Sequence, residues 1–156
     1  TRDGGHAEYM TAREQALAEI PEGLGFEEAA PLLCAGVTTF NGLRHTDLNP
    51  GDTVAVLGIG GLGHLGVQYA AQSGYETVAI SHSDKEEYAE ELGADHFINS
   101  AKEEVAEALH SLGGADAVLS TAPVADAIEE SIHGLGMHGK ATIVGVPGEN
   151  IEVSAV

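Results

Sequence analysis

From Gly51 onward, the apolar residues of this chain follow two alternating patterns. Short runs that are apolar throughout have the length of buried strands, and the longer segments between them carry apolar residues at helical spacing. The predicted strands are 53–57, 76–80, 96–98, 117–120 and 140–146, and the predicted helices are 62–72, 84–92, 101–112 and 124–133. Apolar strands separated by helices are typical of a parallel sheet covered on both faces. The pattern therefore predicts a doubly wound α/β fold over residues 50–156.

The two ends of the chain follow other patterns. Residues Gly4 to Met10 indicate a loose strand, and residues 27–44 indicate one helix interrupted near Gly36. At the other end, Ile151 to Ala155 alternates apolar and polar residues, which predicts a final strand with an apolar face. The helix predicted from residue 84 has Ser83 or Asp84 as its expected capping residue.

The charge of the chain is strongly negative, with 25 acidic residues against 6 basic ones and a formal net charge of −19. Such a charge disfavours nucleic acid and anionic membranes as partners, because both are bound through clustered lysine and arginine. Many of the acids come in pairs on predicted helices, as at Glu86-Glu87 and Glu90-Glu91, which is typical of a solvated surface. A high-salt source is a hypothesis consistent with this charge.

Cysteine content and hydropathy limit the class of protein further. The single cysteine, Cys34, excludes an internal disulfide, and no apolar run approaches the roughly 20 residues of a membrane span. No signal-peptide pattern is seen in the sequence. We therefore expect a cytoplasmic protein without a membrane partner.

A glycine-rich turn lies between the first predicted strand and the first predicted helix. The sequence Gly58-Ile59-Gly60-Gly61-Leu62-Gly63 satisfies G-x-G-x-x-G in the context that gives this motif its meaning, after a strand and at the start of a helix. Gly58 permits the tight turn, Gly60 admits a pyrophosphate close to the backbone, and Gly63 lets the helix approach the sheet. The N–H groups and the positive end of the helix dipole would face the phosphates. These residues predict a dinucleotide-binding Rossmann fold.

The end of the second predicted strand, about 20 residues further on, bears on which dinucleotide is bound. A carboxylate at this position would favour NAD, but the sequence here is Ser81-His82-Ser83-Asp84-Lys85. Hydroxyls, an imidazole and a lysine suit the 2′-phosphate of NADP better than a diol, so we expect NADP, with NAD possible. The alternative is a helix cap followed by an ordinary surface lysine, and Asp84 either caps the helix or approaches the ribose.

Four stretches together resemble a known family. They are GGHAEYM, FEEAAPLLCAGVTTF, GDTVAVLGIGGLGHLGVQYA and LGADHFI. In this order they are similar to the medium-chain zinc-dependent alcohol dehydrogenases, and most of all to the NADP-using, cinnamyl-alcohol-dehydrogenase-like branch. The resemblance runs from about Gly4 to Val146.

The resemblance implies roles for individual residues. Cys34 corresponds to a protein ligand of the family's catalytic zinc, and Thr38 to the threonine that packs beside the nicotinamide. Backbone contacts on the nicotinamide side correspond to positions near Thr121, Val144 and Val146. Without the resemblance, Cys34 is also compatible with a small apolar residue buried in the core.

The resemblance also implies a division of the chain. Residues 1–24 correspond to the tail of a catalytic domain, residues 25–49 to a connecting helix that carries Cys34, and residues 50–156 to the NAD(P)-binding domain. The family's first zinc cysteine, its Gly-His-Glu segment and its four-cysteine cluster have no counterpart in this sequence. The eight histidines are scattered singly, whereas catalytic zinc needs three protein ligands.

We therefore expect the NADP-binding domain of a zinc-dependent alcohol dehydrogenase, which transfers a hydride between nicotinamide and a small alcohol or aldehyde. The complete protein would hold zinc, whereas this stretch alone would be inactive. One alternative is a nucleotide-binding module without chemistry of its own, and another is a zinc-free, quinone-reductase-like oxidoreductase. The apolar face of Ile151 to Ala155 predicts a homodimer joined along this edge strand.

Overall fold

The computed structural model describes residues 5–154. Its first part is irregular up to a short 3₁₀ turn at Glu14–Ala16. The strand predicted at Gly4 to Met10 is wrong for residues 5–10, because these residues are solvent-exposed and form no strand. Gly4 itself lies outside the described residues.

The predicted interrupted helix is present as three segments: α1 (Phe26–Pro31), a π-helical turn (Leu32–Gly36) and α2 (Val37–Arg44). Pro31 has no backbone N–H to donate within a helix. The π-helical turn follows it directly, and the spacing of the backbone hydrogen bonds changes there. Thr39, buried on α2, donates its hydroxyl to the carbonyl oxygens of Ala35 at 2.7 Å and of Gly36 at 3.1 Å. These bonds satisfy carbonyls of the π turn and fix the start of α2.

The remaining chain forms a five-stranded parallel sheet in the order β3-β2-β1-β4-β5, which confirms the predicted doubly wound fold. The strands are β1 (Thr53–Leu57), β2 (Glu76–Ser81), β3 (His96–Asn99), β4 (Ala115–Ser120) and β5 (Leu135–Ile143). The helices between them are α3 (Gly63–Gln72), α4 (Glu86–Glu91), α5 (Val105–Ser111) and α6 (Ala125–His133). In residues 5–154 no helix has the length and hydropathy needed to cross a membrane.

Strand β1 shows how the sheet builds a core on each face. Val54 and Val56 point into a cluster completed by α2, α3 and α4, whereas Ala55 and Leu57 point into a second cluster completed by α5 and α6. All four side chains are buried. Because successive side chains of a strand alternate between faces, a strand covered on both sides must be apolar throughout.

The last part of the chain differs from the prediction. The fifth strand begins at Leu135 instead of residue 140, and it pairs irregularly, since Ala115 pairs with Leu135 but Ala117 pairs with Lys140. The extra β5 residues include His138, whose φ is +65°. The added stretch, residues 135–139, contains two glycines and lies at a bulge, so its residues give no regular strand pattern.

The predicted final strand is wrong for Ile151 to Ser154, where the structure has no strand, and Ala155 lies outside the described residues. Ile151 instead packs against the core cluster formed with α5 and α6. The backbone N–H of Glu152 donates to the Glu129 carboxylate of α6 at 2.7 Å. A helix side chain therefore satisfies a donor that a neighbouring strand would otherwise have satisfied.

Candidate nucleotide-binding site

The glycine-rich turn joins the end of β1 to the start of α3, and two of its glycines are required by the fold itself. Gly58 has a φ of +86°, a conformation that side chains rarely adopt. A Cβ added at Gly63 would lie 1.7 Å from the carbonyl oxygen of Gly58. Both glycines therefore serve the close approach of strand, turn and helix, as predicted.

The two middle glycines of the turn serve another purpose. A Cβ added at Gly60 or Gly61 would meet nothing within 4 Å, so the fold does not need a glycine at either position. No acidic residue lies in the first turn of α3, and the side chain of its N-cap residue, Leu62, makes no capping hydrogen bond. The positive end of the α3 dipole therefore faces an open strip of backbone, which is the arrangement that binds a phosphate.

Thr121, which follows β4, holds the glycine-rich turn in place. Its hydroxyl lies 2.9 Å from the carbonyl oxygen of Leu57 and 2.8 Å from that of Gly58, and its backbone N–H donates to Leu57 at 2.9 Å. The β4 strand pairs with β1, which places these groups side by side. Thr121 therefore positions the turn. The sequence predicts only a backbone contact of Thr121 with nicotinamide and not this role.

The other predicted nicotinamide-side residues lie just after β5. The N–H of Val144 donates to Ser120 at 2.9 Å, and its side chain packs against the core cluster on the α2 and α3 face. Val146 is 81% exposed. Val144 is thus held at the carboxyl edge of the sheet, while the side chain of Val146 is available for contact.

The predicted ribose-binding residues lie at the end of β2. Ser81 is buried as the last residue of the strand, and its hydroxyl oxygen lies 3.3 Å from both the hydroxyl oxygen and the backbone nitrogen of Ser83. His82 and Ser83 are exposed. The prediction that Ser83 or Asp84 caps the following helix is wrong, because the N-cap residue of α4 is Lys85 and no side-chain hydrogen bond caps it.

Two lysines lie beside these serines. The Lys85 ammonium donates to the carbonyl oxygen of Ile59 at 2.7 Å, which links the loop after β2 to the glycine-rich turn. The Lys102 ammonium lies 3.0 Å from the Asp84 carboxylate and links the loops after β2 and β3. The partners of Lys85 and Lys102 could not be assigned from sequence spacing, because each contact joins two different loops.

A cavity of about 430 Å³ opens between the ends of β1, β2 and β4. It is bounded mainly by aliphatic and backbone atoms, together with two serines and one imidazole. Such a lining accepts a flat aromatic base and leaves polar groups for the attached sugar. The lining residues are Leu57, Gly58, Ile80, Ser81, His82, Ser100, Ala122, Val124 and Ala127.

Cys34 lies in the π turn and is solvent-exposed, so the alternative of a buried core residue is wrong. Thr38 is half-buried on α2, one turn further along. Large apolar side chains around this segment are also exposed, including Leu33, Val37 and Phe40. Cys34 therefore lies on an apolar surface and remains accessible as a ligand.

A catalytic zinc does not fit the described residues alone. Within residues 5–154, no three histidine, cysteine, aspartate or glutamate side chains are grouped so that they could hold a metal ion. One thiolate supplies a single ligand, whereas catalytic zinc uses three protein ligands and an open position. We therefore derive no zinc-dependent step from this part of the chain.

Sequence reasoning missed Lys102 and Ser100, which follow β3. The signal that would have found them is the order of the strands. Since β3 lies next to β2, residues just after Asn99 reach the edge that carries Ser81. The carboxyl ends of neighbouring parallel strands share one edge of the sheet, so both loops contribute to a ligand site there.

Comparison with known proteins gives consistent results. Residues 61–156 match the family of zinc-binding dehydrogenases. Alcohol dehydrogenase patD of Penicillium expansum is 48% identical over 154 residues, which cover 98% of this chain and 45% of that protein. The chain therefore spans less than half the length of this curated relative.

Two solved structures share the architecture. The crystal structure of the alcohol dehydrogenase from the hyperthermophilic archaeon Aeropyrum pernix has a TM-score of 0.85 at 28% identity, covering 97% of this chain and 46% of that one. A zinc-binding dehydrogenase from Sinorhizobium meliloti 1021, solved bound to NADP, has a TM-score of 0.71 at 31% identity, covering 80% and 38%.

Proposed function

Since this chain belongs to the family of zinc-binding dehydrogenases, we propose that it is the NADP-binding domain of a zinc-dependent alcohol dehydrogenase. The complete protein would transfer a hydride between nicotinamide and a small alcohol or aldehyde. Its activity and substrate are part of the proposal, because the chain spans 45% of the alcohol dehydrogenase it resembles.

One observation carries the proposal: the contrast within the glycine-rich turn. Gly58 and Gly63 are needed for the fold, whereas Gly60 and Gly61 face open space at the start of α3. A glycine that packing does not require is explained by the close approach of a ligand. The pyrophosphate would lie against Gly60, Gly61 and Leu62, and the adenine would enter the cavity beside Ser81.

The choice of NADP over NAD rests on the end of β2. Ser81 stands where a carboxylate would accept hydrogen bonds from the ribose hydroxyls, so NAD lacks that acceptor. The Ser81 and Ser83 hydroxyls, the exposed His82 ring and the Lys85 ammonium offer donors to a 2′-phosphate. A charged hydrogen bond contributes about 1.5–3 kcal/mol, so we expect a ten- to hundred-fold preference for NADP. Ser81→Asp should reverse it.

The nicotinamide and the metal belong to the other side of the site. The bound nicotinamide would supply the hydride chemistry, and the residues we assign to its position are Thr38, Thr121, Val144 and Val146. Cys34 would give one zinc ligand in the complete protein, with its partners beyond the described residues. We expect the present chain to bind zinc weakly and to show no steady turnover of alcohols.

A nucleotide-binding module without chemistry is the second candidate. The observation in its favour is that residues 5–154 hold no group of three metal-ligating side chains. The two candidates differ in turnover when the complete protein is supplied with zinc. Both predict that the present chain binds dinucleotide.

We further propose that the protein is cytoplasmic and forms a two-fold dimer. The strand predicted at Ile151 to Ala155 is not formed in its described part, so β5 is the edge strand on that side of the sheet, opposite β3. Met137 and Ile143 of β5 are exposed, and an open strand edge favours pairing with a second copy. Light scattering with and without ~2 M salt tests this, because salt screens the repulsion between two acidic chains. A monomer at high protein concentration in both conditions would contradict the dimer.

Calorimetric titration of the chain with NADP and NAD tests the proposed function. Gly60→Ala should weaken both nucleotides at least about tenfold without changing the thermal midpoint, because the new methyl group meets only the ligand. Gly25→Ala is the matched control, since its methyl group would meet only Glu28 at 3.4 Å on the distant α1. A parent chain without affinity for either nucleotide, or a Gly60→Ala chain that binds normally, would overturn the proposal.

A further inference from the structure

An ion pair joins the two loops beside the proposed ribose position. The Lys102 ammonium and the Asp84 carboxylate are 3.0 Å apart, and their side chains are 65% and 68% exposed. Asp84 lies three residues after Ser81, and Lys102 lies three residues after Asn99, which pairs with Ser81 across β2 and β3. Lys102 is therefore held at the edge where a 2′-phosphate would enter.

The other two lysines of the chain each donate to a backbone carbonyl oxygen. Lys85 directs its ammonium to the carbonyl oxygen of Ile59 at 2.7 Å, and its side chain is half-buried. Lys140 donates to the carbonyl oxygen of Thr46 at 2.8 Å and to Asp47 at 2.9 Å, away from the glycine-rich turn. Lys102 differs from both because its one described partner is an exposed carboxylate on the neighbouring loop.

We propose that Lys102 is a specificity-determining residue that binds the 2′-phosphate of NADP, and that Asp84 holds its side chain in position until the nucleotide arrives. This inference rests on the proposed function, since it requires nucleotide binding at the turn. An exposed ion pair contributes little to stability, so Lys102 exchanges its partner at small cost. A phosphate monoester carries more negative charge than a carboxylate and offers three acceptor oxygens, which favours the exchange.

Asp84 has two opposing effects in this arrangement. It orients Lys102, but its carboxylate also repels an incoming phosphate. In a chain with a net charge of −19, a local cation matters more than usual, because the general field opposes every anionic ligand. Removing the Asp84 charge should therefore strengthen NADP binding, provided that Lys102 is present to use the freed position.

The test is titration of the chain with NADP and NAD in ~0.1 M salt, where charges about 10 Å apart still interact. We expect Lys102→Ala to weaken NADP about tenfold and to leave NAD within about twofold. Lys102→Arg should keep the NADP preference, because the charge is retained. Asp84→Asn should strengthen NADP about threefold, and this gain should disappear in the double variant with Lys102→Ala.

Lys140→Ala is the matched control, because it also removes an ammonium that is paired with an exposed aspartate. It should change neither affinity. Adenosine 2′,5′-bisphosphate compared with AMP isolates the phosphate from the rest of the cofactor, and Lys102→Ala should reduce the ratio of their affinities about tenfold.

The outcomes separate the inference from the function on which it rests. If the parent binds NADP but Lys102→Ala leaves the NADP-to-NAD ratio unchanged, only the inference is overturned. If Lys102→Ala weakens both nucleotides equally, Lys102 has a structural role and the inference is again overturned. If the parent binds neither nucleotide, the proposed function fails and the inference fails with it.

Discussion

The amino ends of the parallel strands form one edge of the sheet, and their carboxyl ends form the other. Carboxylates have different roles at these two edges. At the amino edge, the Asp116 carboxylate accepts the backbone N–H of Thr53 at 2.8 Å, and the Asp95 carboxylate accepts that of Thr77 at 2.8 Å. At the carboxyl edge, no carboxylate lies in the first turn of α3. Exposed aspartates thus accept hydrogen bonds from strand N–H groups at one edge, while the start of α3 carries no acid at the other.

This difference shows that the total charge of −19 does not describe the site. Carboxylates at the amino edge stabilise the fold, because a buried N–H without an acceptor is costly. Two of the three lysines lie at the carboxyl edge, beside the loops after β1, β2 and β3. An anionic ligand therefore finds two ammonium groups at one edge of an acidic protein.

The largest expected effect comes from breaking the carboxyl edge itself with Gly63→Ala. The new Cβ would lie 1.7 Å from the carbonyl oxygen of Gly58, and backbone cannot move away as a flexible side chain can. We expect a loss of about 3 kcal/mol or more in the free energy of unfolding, measured by urea denaturation. Gly61→Ala, with nothing within 4 Å of its Cβ, is the matched control for stability. Equal stability of the two variants would contradict the packing role of Gly63.

A smaller loss is expected at the amino edge from Asp116→Ala. The N–H of Thr53, a buried residue, would lose its charged acceptor, which costs about 1.5–3 kcal/mol. Urea denaturation should show this loss, while titration should give unchanged affinity for NADP, because the two edges are independent. Asp116→Asn keeps an acceptor oxygen and should cost less. A parallel loss of nucleotide affinity in Asp116→Ala would show that the edges are coupled.

Salt should change the stability of the chain and its affinity for NADP in opposite directions. Raising the salt concentration to ~2 M screens the repulsion among 25 acidic residues, and we expect the thermal midpoint to rise by about 5 °C. The same screening should weaken NADP binding more than NAD binding, because the contacts of the 2′-phosphate with lysine are ionic. Scanning calorimetry and titration in parallel measure both responses. A midpoint that falls with salt would show that self-repulsion does not limit stability.

The smallest effect concerns the ion pair between Asp47 and Lys140 at the amino side of the sheet. The hydrogen bond from Lys140, and then its charge, lower the pKa of Asp47. A lowered pKa stabilises the fold above the unfolded value of about 3.9, and this contribution disappears as pH falls through the folded value. The difference in thermal midpoint between the parent and Lys140→Ala should therefore be larger at pH 6 than at pH 2.5. Since Asp47 is fully exposed, the change should be small and should vanish in high salt. A difference that grows on acidification would contradict this assignment.

The sequence determined four strands of the sheet, β1 to β4, and the turn between β1 and α3. Strand β1 was predicted with its observed bounds, because every residue from Thr53 to Leu57 is buried and the apolar run has no gap. The glycine-rich turn was equally clear, since its spacing depends on local backbone geometry at Gly58 and Gly63. Burial on both faces requires an uninterrupted apolar run, and local sterics require glycine at fixed positions, so both can be predicted from the sequence.

Only the tertiary structure decided the bounds of β5, the course of Ile151 to Ser154 and the partners of the lysines. Strand β5 is half-exposed and bulged, and Ile151 to Ser154 is held by the core and by α6 instead of forming a strand. The contacts of Lys85 with Ile59 and of Lys102 with Asp84 depend on which strands are neighbours. Contacts between loops are set by strand order, and strand order is decided by packing over the whole sheet, which no local pattern of residues records.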